Sequence, residues 1–325
     1  MTSRQGFNPL LFQLTLAAGG ISLMPFNFLQ FALPSAKGLI TLSDVVTGNM
    51  SDLQSLIMYP LISIMLVFVI LHFGFTMIFL KGFTSWKLEK EGYNALMRDP
   101  YTNERIFAVI CSLGMSANVF WASAGFFIPQ VSSNIQALMA PFLVYFCILW
   151  LALMTWEFRA VKLLMTTAID LKRFNFTWLL DILAFGIVSL TGTGIASMAV
   201  NQQIASVAAF LSIFSIVTGI IVLIFKLVCL FSVHLRSDKM PSEGMLPAYF
   251  LLIPFACLFG LSGYRLTVYI QKLLSINMGG TLFFFVNASY IVAVAWGVFC
   301  IYLLKDYLKN DFIRSKFAPP QWAMV

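Results

Sequence analysis

Charged side chains inside long apolar segments are the first candidates for chemistry in this chain. A charge is costly to hold in hydrocarbon and is kept there mostly for function. Three such residues stand out: Asp181, Lys226 and Arg265. Asp181 lies four residues into an apolar segment and Lys226 near the end of the next. Both are close enough to a boundary to reach an interface by snorkelling. Arg265 lies near the other boundary of a glycine-rich segment. There it could snorkel in the same way, or attract anions at an outer vestibule. No chain of buried carboxylates is evident that would relay protons.

The remaining reactive residues point to no enzyme. His72 and His234 lie in and just after different segments and could in principle ligate a haem. No second bis-histidine set accompanies them, and His234 falls beyond the apolar stretch, so no cofactor is expected. Cys111, Cys147, Cys229, Cys257 and Cys300 all sit in apolar stretches without CxxC or metal-ligand spacing. They read as small apolar fillers. There is no phosphate loop, zinc-protease motif or nucleophile elbow, and Gly192-Thr193-Gly194 is too short to cradle phosphate.

The elements that must position these residues are membrane spans. Hydrophobic residues make up 60% of the 325 positions and charged ones only 10%, against about 25% charged in soluble domains. Thirty-three Phe suit a lipid-facing exterior. Eight segments reach the roughly 20 apolar residues that a span requires: 9–33, 55–80, 106–128, 135–156, 177–199, 206–230, 246–267 and 281–304. The N-terminus has Arg4 before the first apolar stretch and no convincing cleavage site, which predicts a retained first span. Membrane lipid is therefore the expected surroundings.

Lysine and arginine positions set the expected orientation. Lys37, Arg265 and Lys272 fall on one side, and the other seventeen of the twenty on the opposite side. The rich side includes Arg4, the connections 81–105 and 157–176, Arg236 and Lys239, and the segment 305–325. This predicts a single polytopic domain over 1–325 with a cytoplasmic N-terminus. The connections 81–105 and 157–176 are expected as cytoplasmic loops, the latter either an interfacial helix or a solvated loop. The net charge of +7 is accounted for by this placement, so no nucleic-acid partner is expected.

Small residues are shared unevenly among the spans. The odd spans carry them at helical offsets of three, four and seven: Thr15, Ala18, Gly19 and Ser22; Gly114, Asn118 and Gly125, with Ser112, Ser116 and Ser123 on another face; Gly186, Ser189, Thr193 and Ser197; Ala256, Gly260, Gly263 and Thr267. The even spans are mostly Leu, Ile, Val, Phe and Met. Such stripes are either packing seams or the lining of an aqueous path. Their recurrence in all four odd spans predicts four hairpins with odd helices inside and even helices outside. Pro25 and Pro254 are expected to kink odd helices.

This design resembles the tellurite-resistance/dicarboxylate transporter superfamily, the group of bacterial TehA and the plant slow-type anion channels. Residues Asn8 to Pro34 (NPLLFQLTLAAGGISLMPFNFLQFALP) look like its first inner helix, most of all in a TsoY-like bacterial branch. SLTGTGIAS, within Phe176 to Met198, looks like a later one. The resemblance implies a transporter or channel for small inorganic or organic anions, assembled as a homotrimer in the inner membrane. Its central pore would be lined by Gly19, Ser22, Ser116, Asn118, Ser189, Thr193, Gly194, Gly260 and Gly263, with Arg265 attracting anions. The family has five hairpins and this chain four. Phe317 to Val325 (FAPPQWAMV) looks like the start of a further inner helix, so the last hairpin is missing or supplied by a neighbour. Two other readings stay open: a membrane-anchor subunit of a quinone-linked oxidoreductase, and an accessory membrane protein without transport.

Overall fold

A computed structural model describes residues 7–33, 38–47, 52–234, 243–312 and 321. Arg4, Lys37, Arg236, Lys239, Arg314, Lys316 and the expected helix start at 317–325 lie outside them, apart from Gln321. So does the side chain of His234. The described residues are helical throughout their ordered elements and contain no strand. Eight helices among them are long and apolar enough to cross a membrane. We label these α1 (Phe12–Ala32), α2 (Asp52–Glu89), α3 (107–127), α4 (Ile135–Thr166), α5 (Leu180–Met198), α6 (Gln202–His234), α7 (Leu252–Leu274) and α8 (Gly279–Leu303). The chain is thus an all-α, multi-pass membrane protein.

The helix boundaries have local causes. Asn8 accepts a hydrogen bond from the Leu10 amide (3.1 Å), capping the turn that leads into α1. Asn175 likewise caps the 3-10 turn before α5. Ser275 adopts a left-handed conformation (φ 53°, ψ 36°) at the C-cap of α7. Pro25 lies inside α1. Pro254 differs from the expected mid-span kink. A 3-10 stretch, Glu243–Leu251, precedes α7, so Pro254 falls in the first α-helical turn, where a missing amide proton costs little.

Two even helices run past the apolar segments. α2 has 38 residues, about 57 Å at 1.5 Å per residue, nearly twice the roughly 30 Å of hydrocarbon. It therefore takes up the first part of the 81–105 connection. A break at Lys90 (φ 62°) and a short helix, Glu91–Arg98, follow. α4 continues to Thr166, so the first half of 157–176 is helical as well.

Odd and even helices differ in burial. In the most apolar stretch of each, the buried share is 56% for α1, 78% for α3, 100% for α5 and 39% for the α7 span. It is 28% for α2, α4 and α6, and 11% for α8. α5 is enclosed by α3, α4, α6 and α7, while α1 packs on α2 and α3, and α7 on α8. α4 and α5 run antiparallel, as do α3 and α6. Glu104, leading α3, meets Lys226 near the end of α6, and Gln136 at the start of α4 bonds the Met198 carbonyl at the end of α5.

Glycines sit where neighbouring helices approach. A methyl group on Gly114 would press on Ile187 of α5 (2.7 Å), and one on Gly186 would press on Leu258 of α7 (3.0 Å). These notches let backbones come close, as small residues do between membrane helices.

Candidate functional site

The predicted lining residues divide by location. Ser22 and Thr193 donate to carbonyls three residues back, Gly19 (2.7 Å) and Leu190 (3.2 Å). Ser189 donates to Phe185 (2.7 Å), while Ser116 Oγ lies between the Ser112 carbonyl (3.0 Å) and His72 Nε2 (2.9 Å) with one proton for the two. A hydroxyl whose proton is spent on its own helix presents lone pairs outward. That is the wrong polarity for an anion unless the hydroxyl rotates. Asn118 bridges α3 and α5, donating to the Gly114 carbonyl and Thr191 Oγ1, both at 3.0 Å. Gly19 faces Met115 and His72. Gly260 and Gly263 face α8, against Ser289 and the Phe285 ring, so these two line the α7–α8 contact.

Arg265 and Gly194 do come together. The Arg265 guanidinium donates to the Leu190 carbonyl of α5 (3.3 Å). A methyl group on Gly194 would lie 3.1 Å from Nη1 and 3.3 Å from the Trp121 ring. The head group thus occupies a notch that Gly194 opens in the most buried helix. Trp121 belongs to a π-helical turn, Phe120–Ala124, within α3. No carboxylate among the described residues pairs with Arg265. Two turns further on, Lys272 donates to the Ser197 carbonyl (2.5 Å). Both cations therefore lie on the C-terminal half of α5, where the helix dipole favours positive charge.

His72 is fully buried, with Nδ1 2.7 Å from the Thr15 carbonyl and Nε2 2.9 Å from Ser116 Oγ. Both ring nitrogens are engaged within the protein, so neither is free for an axial iron. Thr15, Thr76 and Ser112 extend the network between α1, α2 and α3.

The expectation that Asp181 and Lys226 snorkel separately is corrected by the structure: they pair with each other, buried. Lys226 spends its three protons on Asp181 Oδ2 (2.5 Å), the Trp178 carbonyl (2.8 Å) and Glu104 Oε1 (2.9 Å). Its ammonium also lies 4.7 Å from the Trp178 ring centroid. Glu157 of α4 is buried as well, near enough to Asp181 for the two carboxyls to interact electrostatically, and its Oε2 has no hydrogen-bond partner. All four side chains are buried. A buried ion pair needs this degree of hydrogen bonding to offset its desolvation. The absence of clustered carboxylates expected from sequence is corrected too, because Glu104, Glu157 and Asp181 meet here from three helical segments.

Sequence reasoning missed Glu104 and Glu157 because they fall at the edges of apolar segments. The available signal was one ionisable residue at the same end of four consecutive spans. A separate cleft of about 320 Å3 opens between Phe7, Trp86, Leu96, Asp99 and Thr102 and holds none of the predicted residues. Comparison with known proteins finds no matching family model, curated protein or solved structure.

Proposed function

We propose that this protein moves small anions across a membrane without covalent catalysis. The observation that carries the reading is Arg265: a half-buried guanidinium with no carboxylate partner among the described residues, seated in the Gly194 notch. A cation held this way has donors to offer, and an anion is the ligand that would complete them. The Leu190 carbonyl and the C-terminal half of α5 explain part of its placement, yet they leave its charge uncompensated.

The burial pattern supports the same reading, with odd helices inside and even helices toward lipid. On this view α1–α2, α3–α4, α5–α6 and α7–α8 are hairpins with a cytoplasmic N-terminus, in the inner membrane. The path passes Arg265 and Gly194 along α5. It needs rotation of Ser189 and Thr193, whose hydroxyls face their own backbone. The resemblance of Asn8 to Pro34 to the tellurite-resistance/dicarboxylate group points to the same substrate class and to a homotrimer. No comparable observation favours the oxidoreductase-anchor reading.

Anion efflux from liposomes reconstituted with the purified chain tests the proposal. Arg265→Gln removes the charge and Gly194→Leu fills the notch, and each should lower efflux at least tenfold. Equal rates for wild type and both variants, with all three inserted to the same extent, would refute this path.

A further inference from the structure

We propose that Glu104, Glu157, Asp181 and Lys226 form a proton-binding site, in which Glu157 and Asp181 share a proton exchanged with water at that end of the bundle. This goes beyond the anion reading and does not depend on it.

The charge count is the first argument. Three carboxyl groups face one ammonium, so full ionisation would leave two negative charges among side chains that are each at least 94% buried. Charges removed from water are kept only when paired. Lys226 has no proton left to donate, its three being committed to Asp181, Trp178 and Glu104. The second argument is independent of the count. Oε2 of Glu157 and Oε2 of Glu104 are buried and have no hydrogen-bond partner. Ionised carboxylates accept and never donate. An ionised Glu157 would thus be a buried charge with no donor at Oε2, and it can hydrogen-bond to the neighbouring carboxyl of Asp181 only when one of the two carries a proton.

The other groups around the cluster do not supply that proton's role. Cys111 of α3 bonds the Leu180 carbonyl through Sγ (3.9 Å). Arg105 and Arg159 form no ion pair among the described residues. Arg173 stacks on the Tyr101 ring at 3.7 Å. The three carboxyls do not converge as metal ligands either, since no such group of His, Cys, Asp and Glu occurs among the described residues. The step is simple acid–base exchange. Hydronium gives its proton to a carboxylate oxygen, one O–H bond forms as another breaks, and water is released.

Infrared difference spectroscopy of the purified full chain, stepped from alkaline to acid buffer, reads the site directly. A carboxylic C=O band that grows on acidification and shifts in D2O is expected for wild type. Glu157→Gln and Asp181→Asn should each remove it, and Glu157→Asp should restore a titrating band at a different frequency. Wild type without such a band, or a band that survives in both amide variants, overturns the proposal. So does a band that sodium ions displace at constant pH, which would make the site a cation site. If one amide variant fails to fold, the other and the wild-type sodium comparison still decide.

Discussion

Replacing Lys226 by Met tests how the core of this protein holds together. Methionine keeps most of the side-chain length and volume but removes all three donors, to Glu104, Asp181 and the Trp178 carbonyl. Breaking a buried pair from one side costs about 3–5 kcal/mol, because the partner charges stay buried. A second route gives a similar figure. The stranded carboxylate can take a proton instead, and protonating an ordinary carboxyl at neutral pH costs about 4 kcal/mol. The expected loss is therefore about 3–5 kcal/mol at neutral pH. It should shrink as the buffer is acidified, because solution then supplies the proton at lower cost. Unfolding in mixed micelles, followed by tryptophan fluorescence, measures it, with Trp178 lying beside the deleted ammonium as a local reporter. Arg159→Met, on the exposed face of α4, is the control and should change stability by less than about 0.5 kcal/mol. The double variant Lys226→Met with Asp181→Asn should recover part of the loss, by about 0.5–3 kcal/mol of coupling. If Lys226→Met is as stable as the control at neutral pH, the cluster is not a paired buried network.

Further outcomes at three positions can be checked in the same way. Gly192→Ala should destabilise by about 1–3 kcal/mol through overpacking, since its methyl group would overlap Ser212 and the Phe146 ring. Gly20→Ala, with nothing within 4 Å, should instead gain about 0.5–1 kcal/mol in its helix. His72→Ala should cost about 1–3 kcal/mol from the hydrogen bonds to Thr15 and Ser116. His72→Phe should return the packing part of that loss, and equal stability of both variants and wild type would show that the network is idle.

The spans were legible because hydrocarbon demands a long apolar run, and this can be read residue by residue. Expected segments such as 177–199 and 281–304 match Phe176–Met198 and Gly279–Leu303 closely. The ends of α2 and α4 were not, since an apolar count stops near Lys81 or Glu157 while the backbone stays helical through KGFTSWKLE and EFRAVKLLMT. Small-residue stripes marked the buried helices but not their partners. Gly260 and Gly263 belong to the same stripe pattern as Gly186, yet they meet α8 and not the interior. The ionic cluster was hidden for a different reason. Asp181 and Lys226 are 45 residues apart, and Glu104 lies 122 residues from Lys226. Taken singly, each lies near a boundary where snorkelling satisfies it. Their meeting depends on tertiary packing that no local pattern encodes.

The pairing of α5 with Lys226 also bears on how the chain enters a membrane during synthesis. The three carboxyl groups of Glu104, Glu157 and Asp181 emerge before the ammonium of Lys226. A helix carrying an unpaired acid inserts less readily by itself, although Asp181, in the first turn of α5, costs less than the roughly 2.5–3.5 kcal/mol of an acid at mid-span. Until α6 is made, α5 has no cation to neutralise Asp181. Biogenesis is then expected to hold α5 back at the insertion machinery until α6 joins it, so that the most central helix enters late, as half of a pair.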